Sequence, residues 1–337
     1  MSDEGRGKIG DYEILEPLGQ GSRGRVFRAR CLAANNPRVA RDQVVALKVL
    51  HLPGRDARDA ERFQAQAEAL CVLEHPGIVR VLDVFVWRPG EWDEVRCLVS
   101  ELHDGETLED RLKKKTAGLD WPDVREIFGQ ALAALAYARG MGVSHMDLKP
   151  SNIFLTDAGA VKIFDFDVAR KDEDGQASTA AWKGSFDYMA PDFVTEPDFR
   201  GDEESDIFSL GVCFFEALTG RLPFEPLGKG AHVAYLTRWH GGEKPPEPSF
   251  RAGAFRVLAN ARKFAERALQ PDRAQRFASF GEMAKEFAQI RNRVIRDGGR
   301  DEYELQSLLG RGGFGEVFFA RRARDGAKVA IKHLFAQ

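Results

Sequence analysis

The sequence predicts an α+β chain in two lobes, a small β-rich one followed by a larger, mostly helical one. Three observations lead there. Apolar residues alternate in short runs through residues 11–100, the period-2 signature of strands half buried in a sheet. From residue 107 to 293 the apolar spacing becomes that of helices. The opening stretch also recurs near the end, so the 337 residues are more than one simple domain.

Taken in order, residues 1–10 read as a polar tail without the apolar core of a signal peptide. Strands are expected at 44–50, 78–86 and 95–100. Between the first two, residues 59–73 set Phe63, Ala67, Leu70 and Leu73 on one helical face. Residues 101–105 join the lobes, so the small lobe is 11–100 and the large one 106–293. The run from Thr107 to Asp110 starts a helix, with an acid at the third position to complete the cap. Further helices are expected at 124–139, 204–218, 255–268 and 280–293. Residues 294–301 are read as a linker, because Asp297 to Glu302 is polar and glycine-bearing.

The repeat relates residues 11–30 to 302–321 at a constant offset of 291. The later triplets Ala46-Leu47-Lys48 and Ala330-Ile331-Lys332 are 284 apart, so the first copy carries a loop seven residues longer, around 35–43. Residues 302–337 amount to three strands, too little to bury a core of their own. Two readings stay open. They are the start of an incomplete second domain and should be loosely packed, or they dock on the first domain and regulate it.

Composition excludes several classes. Hydrophobic residues at 43% and charged residues at 30% are ordinary for a globular protein. A net charge of −3 lacks the basic footprint of a nucleic-acid binder. The four cysteines form no CxxC pair, which argues against a zinc ribbon or disulfide scaffold. They read as small buried hydrophobes in a reducing compartment. The most apolar stretch, 207–218, is interrupted by Ser209 and Glu216. It falls short of the roughly 20 residues a membrane span needs. A cytoplasmic location is expected.

Four motifs carry chemistry. Gly19-x-Gly21-x-x-Gly24-x-Val26 is a glycine-rich turn that lets backbone N–H groups approach phosphates. A dinucleotide fold would need a helix directly after it, whereas 26–30 continues as strand. Lys48 follows in an apolar strand, either as an exposed strand end or as a phosphate ligand. The run His145-Met146-Asp147-Leu148-Lys149-Pro150-Ser151-Asn152 is the most specific. Its carboxylate can accept a hydroxyl proton, its lysine can neutralise phosphoryl charge, and its amide can hold a metal. Asp165, after a further apolar strand, adds a carboxylate suited to magnesium together with substrate phosphates.

On these motifs the chain resembles the eukaryotic-like (Hanks-type) protein kinases over residues 11–293, in the form found in bacterial Ser/Thr kinases. Met189-Ala190-Pro191-Asp192 resembles the end of that family's activation segment. Asp206 resembles the aspartate of the buried helix that braces the catalytic loop, and Arg276 the arginine that pairs with the acid after Ala-Pro. The resemblance implies a two-lobe kinase fold with ATP and Mg2+, or Mn2+, as cofactors and a protein as substrate. It implies that Asp147 and Lys149 are catalytic, and that Asn152 and Asp165 hold the metal. The implied ATP-binding residues are Gly19, Gly21, Gly24, Val26, Ala46, Lys48, Gln66, Ser100, Glu101 and His103. Ser100 falls at the back of the adenine pocket, and Glu101 and His103 would present backbone to adenine. His145 would brace the catalytic loop. Residues 302–337 would be the truncated start of a second kinase, so a tandem or homotypic contact is a further partner class.

Departures from the family pattern accompany this. Gln66 stands where a glutamate would pair with Lys48. Met146 replaces the arginine that receives an activation-loop phosphate, so phosphorylation at Ser178, Thr179 or Ser185 is not expected to switch activity by that route. Asp167 replaces a glycine. The function read is transfer of the ATP γ-phosphoryl group to protein Ser/Thr hydroxyls. The alternative is a nucleotide-binding pseudokinase that regulates a tandem catalytic domain. Glu106, Glu109 and Asp110 hint at basic substrates.

Overall fold

The described strands between residues 8 and 100 form one antiparallel sheet, as the alternation requires. The computed structural model describes residues 7–21, 24–34, 36–50, 67, 70–88, 95–166, 186–195, 199, 201–224, 257–296, 298 and 301–335. Phe63, Gln66, Asp167, Ser178, Thr179 and Ser185 lie outside the described residues. The small-lobe strands are β1 (Lys8–Ile9), β2 (Tyr12–Gly21), β3 (Gly24–Cys31), β4 (Val44–Leu50), β5 (Val81–Trp87) and β6 (Val95–Ser100). Their order is β1-β2-β3-β4-β6-β5. One face buries Tyr12, Ile14, Phe27, Ala29, Val45, Leu47 and Val99 in a core of their own. The glycine turn is demanded by close approach: a Cβ on Gly24 would lie 2.0 Å from the Val49 carbonyl oxygen. The strand expected at 78–86 begins only at Val81. Ile78 instead bridges in parallel to Ile163 of the large lobe, which ties the two lobes together.

The large lobe begins with β7 (Gly105–Thr107) and α1 (Leu108–Lys114). Its start is a reciprocal cap: the Asp110 amide donates to Thr107 Oγ1 (3.1 Å), and the Thr107 amide donates to Asp110 Oδ2 (3.4 Å). Then come α2 (Trp121–Gly140), β8 (Ile153–Thr156), β9 (Val161–Ile163), α3 (Asp192–Thr195) and α4 (Glu203–Thr219). Helix α4 is apolar almost all round and is accordingly the buried centre of the lobe. Phe214 on it meets Phe128, Phe264 and Phe287 edge-on. Gly220 ends it at φ 68°, where a Cβ would lie 2.0 Å from the Thr116 carbonyl. No helix among the described residues is long and apolar enough to cross a membrane.

Four expectations are corrected toward the end of the chain. The helix expected at 255–268 is interrupted: β10 (Leu258–Ala259) and Asn260, at φ 66°, break the run before α5 (Ala261–Ala268). The helix expected at 280–293 is α6 (Phe280–Phe287), after which β11 (Arg291–Asn292) pairs with β10. After Phe287 the polar run Arg291-Asn292-Arg293 offers no apolar helical face, and the β-branched pair Val294 and Ile295 favours strand over helix. The linker expected at 294–301 opens with β12 (Val294–Arg296), which pairs with the repeat. The repeat itself forms β13 (Glu302–Gly312), β14 (Gly315–Arg322) and β15 (Lys328–Leu334). It is not loosely packed: Leu305, Phe318 and Ala320 are buried in the same cluster as the large-lobe core.

Candidate active site

Strand register sets the first part of the site. In β3–β4 pairing Val26 stands opposite Lys48, so both project on the same face of the sheet. That face roofs a cleft of about 330 Å³ between the lobes. Of the residues singled out from sequence, Gly19, Val26, Ala46, Lys48, Ser100, Glu101, His103 and Asp165 line it. Asp147, Lys149 and Asn152 do not line the cleft but sit on the loop beside it. Sequence reasoning missed Phe154 and Leu98, which also line it. The alternation of Ile153–Thr156 directly after Asn152 was a signal for Phe154.

The second part is a hydrogen-bonded catalytic-type loop. Asp206, buried on α4, accepts the amides of His145 (2.6 Å) and Met146 (2.7 Å). The ring of His145 meets the Phe164 carbonyl at 2.9 Å and receives the Asp147 amide at 3.3 Å. Asn152 Nδ2 donates to the Asp147 carbonyl (2.8 Å), and its own carbonyl accepts the Phe164 amide (3.2 Å). Lys149 Nζ donates to Asp147 Oδ2 at 2.8 Å. Lys48 from the small lobe is ion-paired with Asp165 from the large lobe. Met146 and Asp165 both adopt positive φ, 65° and 64°. Such strain costs about 1–3 kcal/mol each and persists because these hydrogen bonds hold the loop.

The segment between the lobes is fixed by Glu101. Its carboxylate receives Lys162 Nζ at 2.7 Å and the Arg80 amide at 3.1 Å, and His103 Nε2 lies 2.9 Å away. Burial alone would raise its pKa, but these contacts outweigh burial and hold it below the ordinary value. A depressed carboxylate contributes stability above its unfolded pKa and loses it as pH falls through the folded one. Lys162→Met should let burial dominate and lift the Glu101 pKa above its unfolded value, so the variant should lose stability at pH 7 and regain part of it as pH falls toward 4, the opposite slope from wild type. Urea unfolding across that range checks this, and superimposable profiles would refute it.

Two sequence hints are resolved. Glu106 is engaged by Arg111 (2.9 Å) and Lys114 (2.6 Å), Glu109 by Lys113 (2.6 Å), and Asp110 by its cap. These acids answer basic groups of the chain itself, so the inferred preference for basic substrates loses its support. Met146 lies in apolar surroundings: a Cβ on Gly201 would meet Met146 Cε at 2.9 Å and the Phe193 ring at 3.0 Å. Phe193 packs edge-on against Phe199 at 4.8 Å. Further along, the buried Arg276 guanidinium pairs with Asp192 at 2.7 Å.

A two-lobed α+β molecule with a glycine ribbon over such a cleft and a braced acidic loop beside it defines a class, and the chain's relatives define it more closely. Residues 12–288 match the protein kinase domain family, and the chain belongs to that family. It is 33% identical over 281 residues to serine/threonine-protein kinase pkn3 of Myxococcus xanthus, covering 80% of this chain and 48% of that protein. It is 34% identical over 217 residues to a probable serine/threonine-protein kinase of Clostridium perfringens, covering 63% of this chain and 29% of that one. The probable serine/threonine-protein kinase PknB of Lactococcus lactis is 32% identical over 219 residues, 64% of this chain and 32% of its own length. The chain therefore spans less than half the length of these relatives. The family generally uses ATP and a divalent metal ion.

Proposed function

We propose that the chain is an ATP-dependent protein Ser/Thr kinase, with residues 11–293 as the kinase domain. One observation carries the reading. Lys48 meets Asp165 across the cleft, and Phe164, the neighbour of Asp165, is hydrogen-bonded to the loop that holds Asp147, Lys149 and Asn152. The described donors suit a hard cation: Asp165 offers a half-exposed carboxylate, and Asn152, with Nδ2 committed to the Asp147 carbonyl, keeps Oδ1 for a metal. Magnesium or manganese bound there would neutralise phosphate charge.

The roles of the chain's own groups follow. The N–H groups of the ribbon at Gly19, Gly21 and Gly24 approach the phosphates, and Lys48 binds them. Val26 and Ala46 cover the base, while Glu101 and His103 present backbone to it and Ser100 leaves room behind. Gln66, outside the described residues, is retained as a neutral partner for Lys48. Asp147 takes the substrate hydroxyl proton as that oxygen bonds the γ-phosphorus. The bridging P–O bond breaks in the same step, and its electron pair leaves with ADP. Lys149 balances the charge that develops on the transferring group. The substrate is a protein, and the net charge of −3 fits no nucleic-acid role. Four buried free cysteines suit a reducing cytoplasm.

The apolar setting of Met146 supports activity that is independent of activation-loop phosphorylation. Ser178→Ala/Thr179→Ala is expected to leave the rate within about two-fold of wild type, and a tenfold loss would refute this. Residues 302–337 are proposed as the start of a second kinase domain. Support comes from β13–β14, which repeats the register of β2–β3, both bulges included: Ile14↔Ala29 recurs as Leu305↔Ala320, and Gly19↔Val26 as Gly310↔Val317. Val317↔Lys332 likewise repeats Val26↔Lys48. The reading as a whole is tested by magnesium- and ATP-dependent labelling of serine or threonine in a generic protein substrate. Nucleotide binding without label would favour the pseudokinase alternative.

A further inference from the structure

The second ribbon copies the first in register yet uses its apolar face differently. In the first copy Ile14, Phe27, Ala29 and Leu47 close the small lobe's own core. The matching residues of the second copy are Leu305, Phe318, Ala320 and Ile331. The first three are buried, and all four pack in the cluster that contains Val257, Leu258 and Ile290 of the large lobe. Backbone bonds join the same parts. The Leu305 amide donates to the Arg293 carbonyl (2.8 Å), and the Arg293 amide donates to the Val257 carbonyl (2.6 Å). Strand β12 continues the connection by pairing Ile295 with Tyr303. The opposite face carries Leu309 and Leu334, about 60% exposed, where the first copy has the cleft-lining Leu18 and Leu50.

We propose that the large-lobe surface at 257–259 and 290–296 is a receptor for a kinase-type glycine ribbon, occupied here by residues 302–335 of the same chain. The large lobe supplies the apolar floor that a small lobe otherwise supplies for itself. A docked ribbon cannot also close a small lobe of its own, because both uses need the face of Leu305, Phe318 and Ala320. In this position Lys332 faces outward, exposed, with the cleft-roof side of the ribbon. The docked ribbon therefore acts as a structural clamp on the end of the large lobe, whether or not the first domain transfers phosphate.

Hydrogen exchange on the full 337-residue chain tests this, with Phe318→Ala on the docked face and Leu309→Ser on the exposed face. The amides of Leu305 and Arg293 should be protected in wild type. Phe318→Ala should speed exchange across the ribbon and at Arg293 together, by about 100-fold, the size expected for truncating a buried phenylalanine. Leu309→Ser should leave both unchanged. A wild-type ribbon that exchanges like an unfolded chain would overturn the proposal. So would Phe318→Ala without effect, or with an effect on the ribbon that leaves Arg293 unmoved.

Discussion

Asp147→Asn is expected to lower phosphoryl transfer by about 1,000-fold while the protein stays folded, within the range for loss of a positioned general base. Asparagine keeps the shape of the side chain but cannot take the hydroxyl proton. The loop does not depend on that carboxylate for its form. Asp206 holds the amides of His145 and Met146, and Asn152 holds the main-chain carbonyl of Asp147. Among the described residues, the contact that changes is Lys149 Nζ to Asp147 Oδ2, now ion-paired at 2.8 Å. Thermal unfolding and nucleotide-induced stabilisation should therefore stay close to wild type while turnover collapses. A variant with a tenth or more of wild-type activity would remove Asp147 from the reaction.

Arg276→Met is expected to destabilise the fold by about 3–5 kcal/mol, the cost of leaving a buried charge without its partner. Asp192 is 5% exposed at its side chain and Arg276 is fully buried. Burial pushes the guanidinium pKa down and the Asp192 carboxylate opposes that shift. The same guanidinium donates to the carbonyls of Gln270 (2.7 Å), Pro271 (2.8 Å) and Glu204 (3.1 Å). It also lies over the Phe208 ring at 5.1 Å. Methionine fills part of the volume but answers none of these oxygens. Because Glu204 and Phe208 lie on the central helix α4, the loss should appear in the main cooperative transition. Urea denaturation followed by far-ultraviolet circular dichroism measures it. A change below 1 kcal/mol would mean that the pair contributes little net stability.

The small lobe and the placement of the groups proposed to handle phosphate were legible because short-range rules fix them. The strand Val44–Leu50 alternates cleanly, and Lys48 falls on its cleft face by period alone. The spacing of Asp147, Lys149 and Asn152 is local, and so is the Thr107–Asp110 cap. What sequence left unread depends on distant partners. Glu101 looked like a supplier of backbone contacts, yet its side chain ties Lys162 and Arg80 to the connector. The acids Glu106 and Glu109 looked free to meet a substrate, yet they answer nearby lysines and an arginine. The β-branched pair Val294 and Ile295 favours strand, but only the pairing of Val294–Arg296 with the repeat makes it decisive. The apolar face of the second ribbon was visible as alternation, but nothing local said that the large lobe would cover it.

The most direct measurement is transfer of label from γ-labelled ATP by the purified 337-residue chain, with magnesium and with manganese, beside Asp147→Asn. Phosphoserine or phosphothreonine formed by wild type and lost in the variant is the expected result. Nucleotide-induced stabilisation of both proteins with label in neither would contradict it, and would leave the chain a nucleotide-binding member of the family without the transfer reaction.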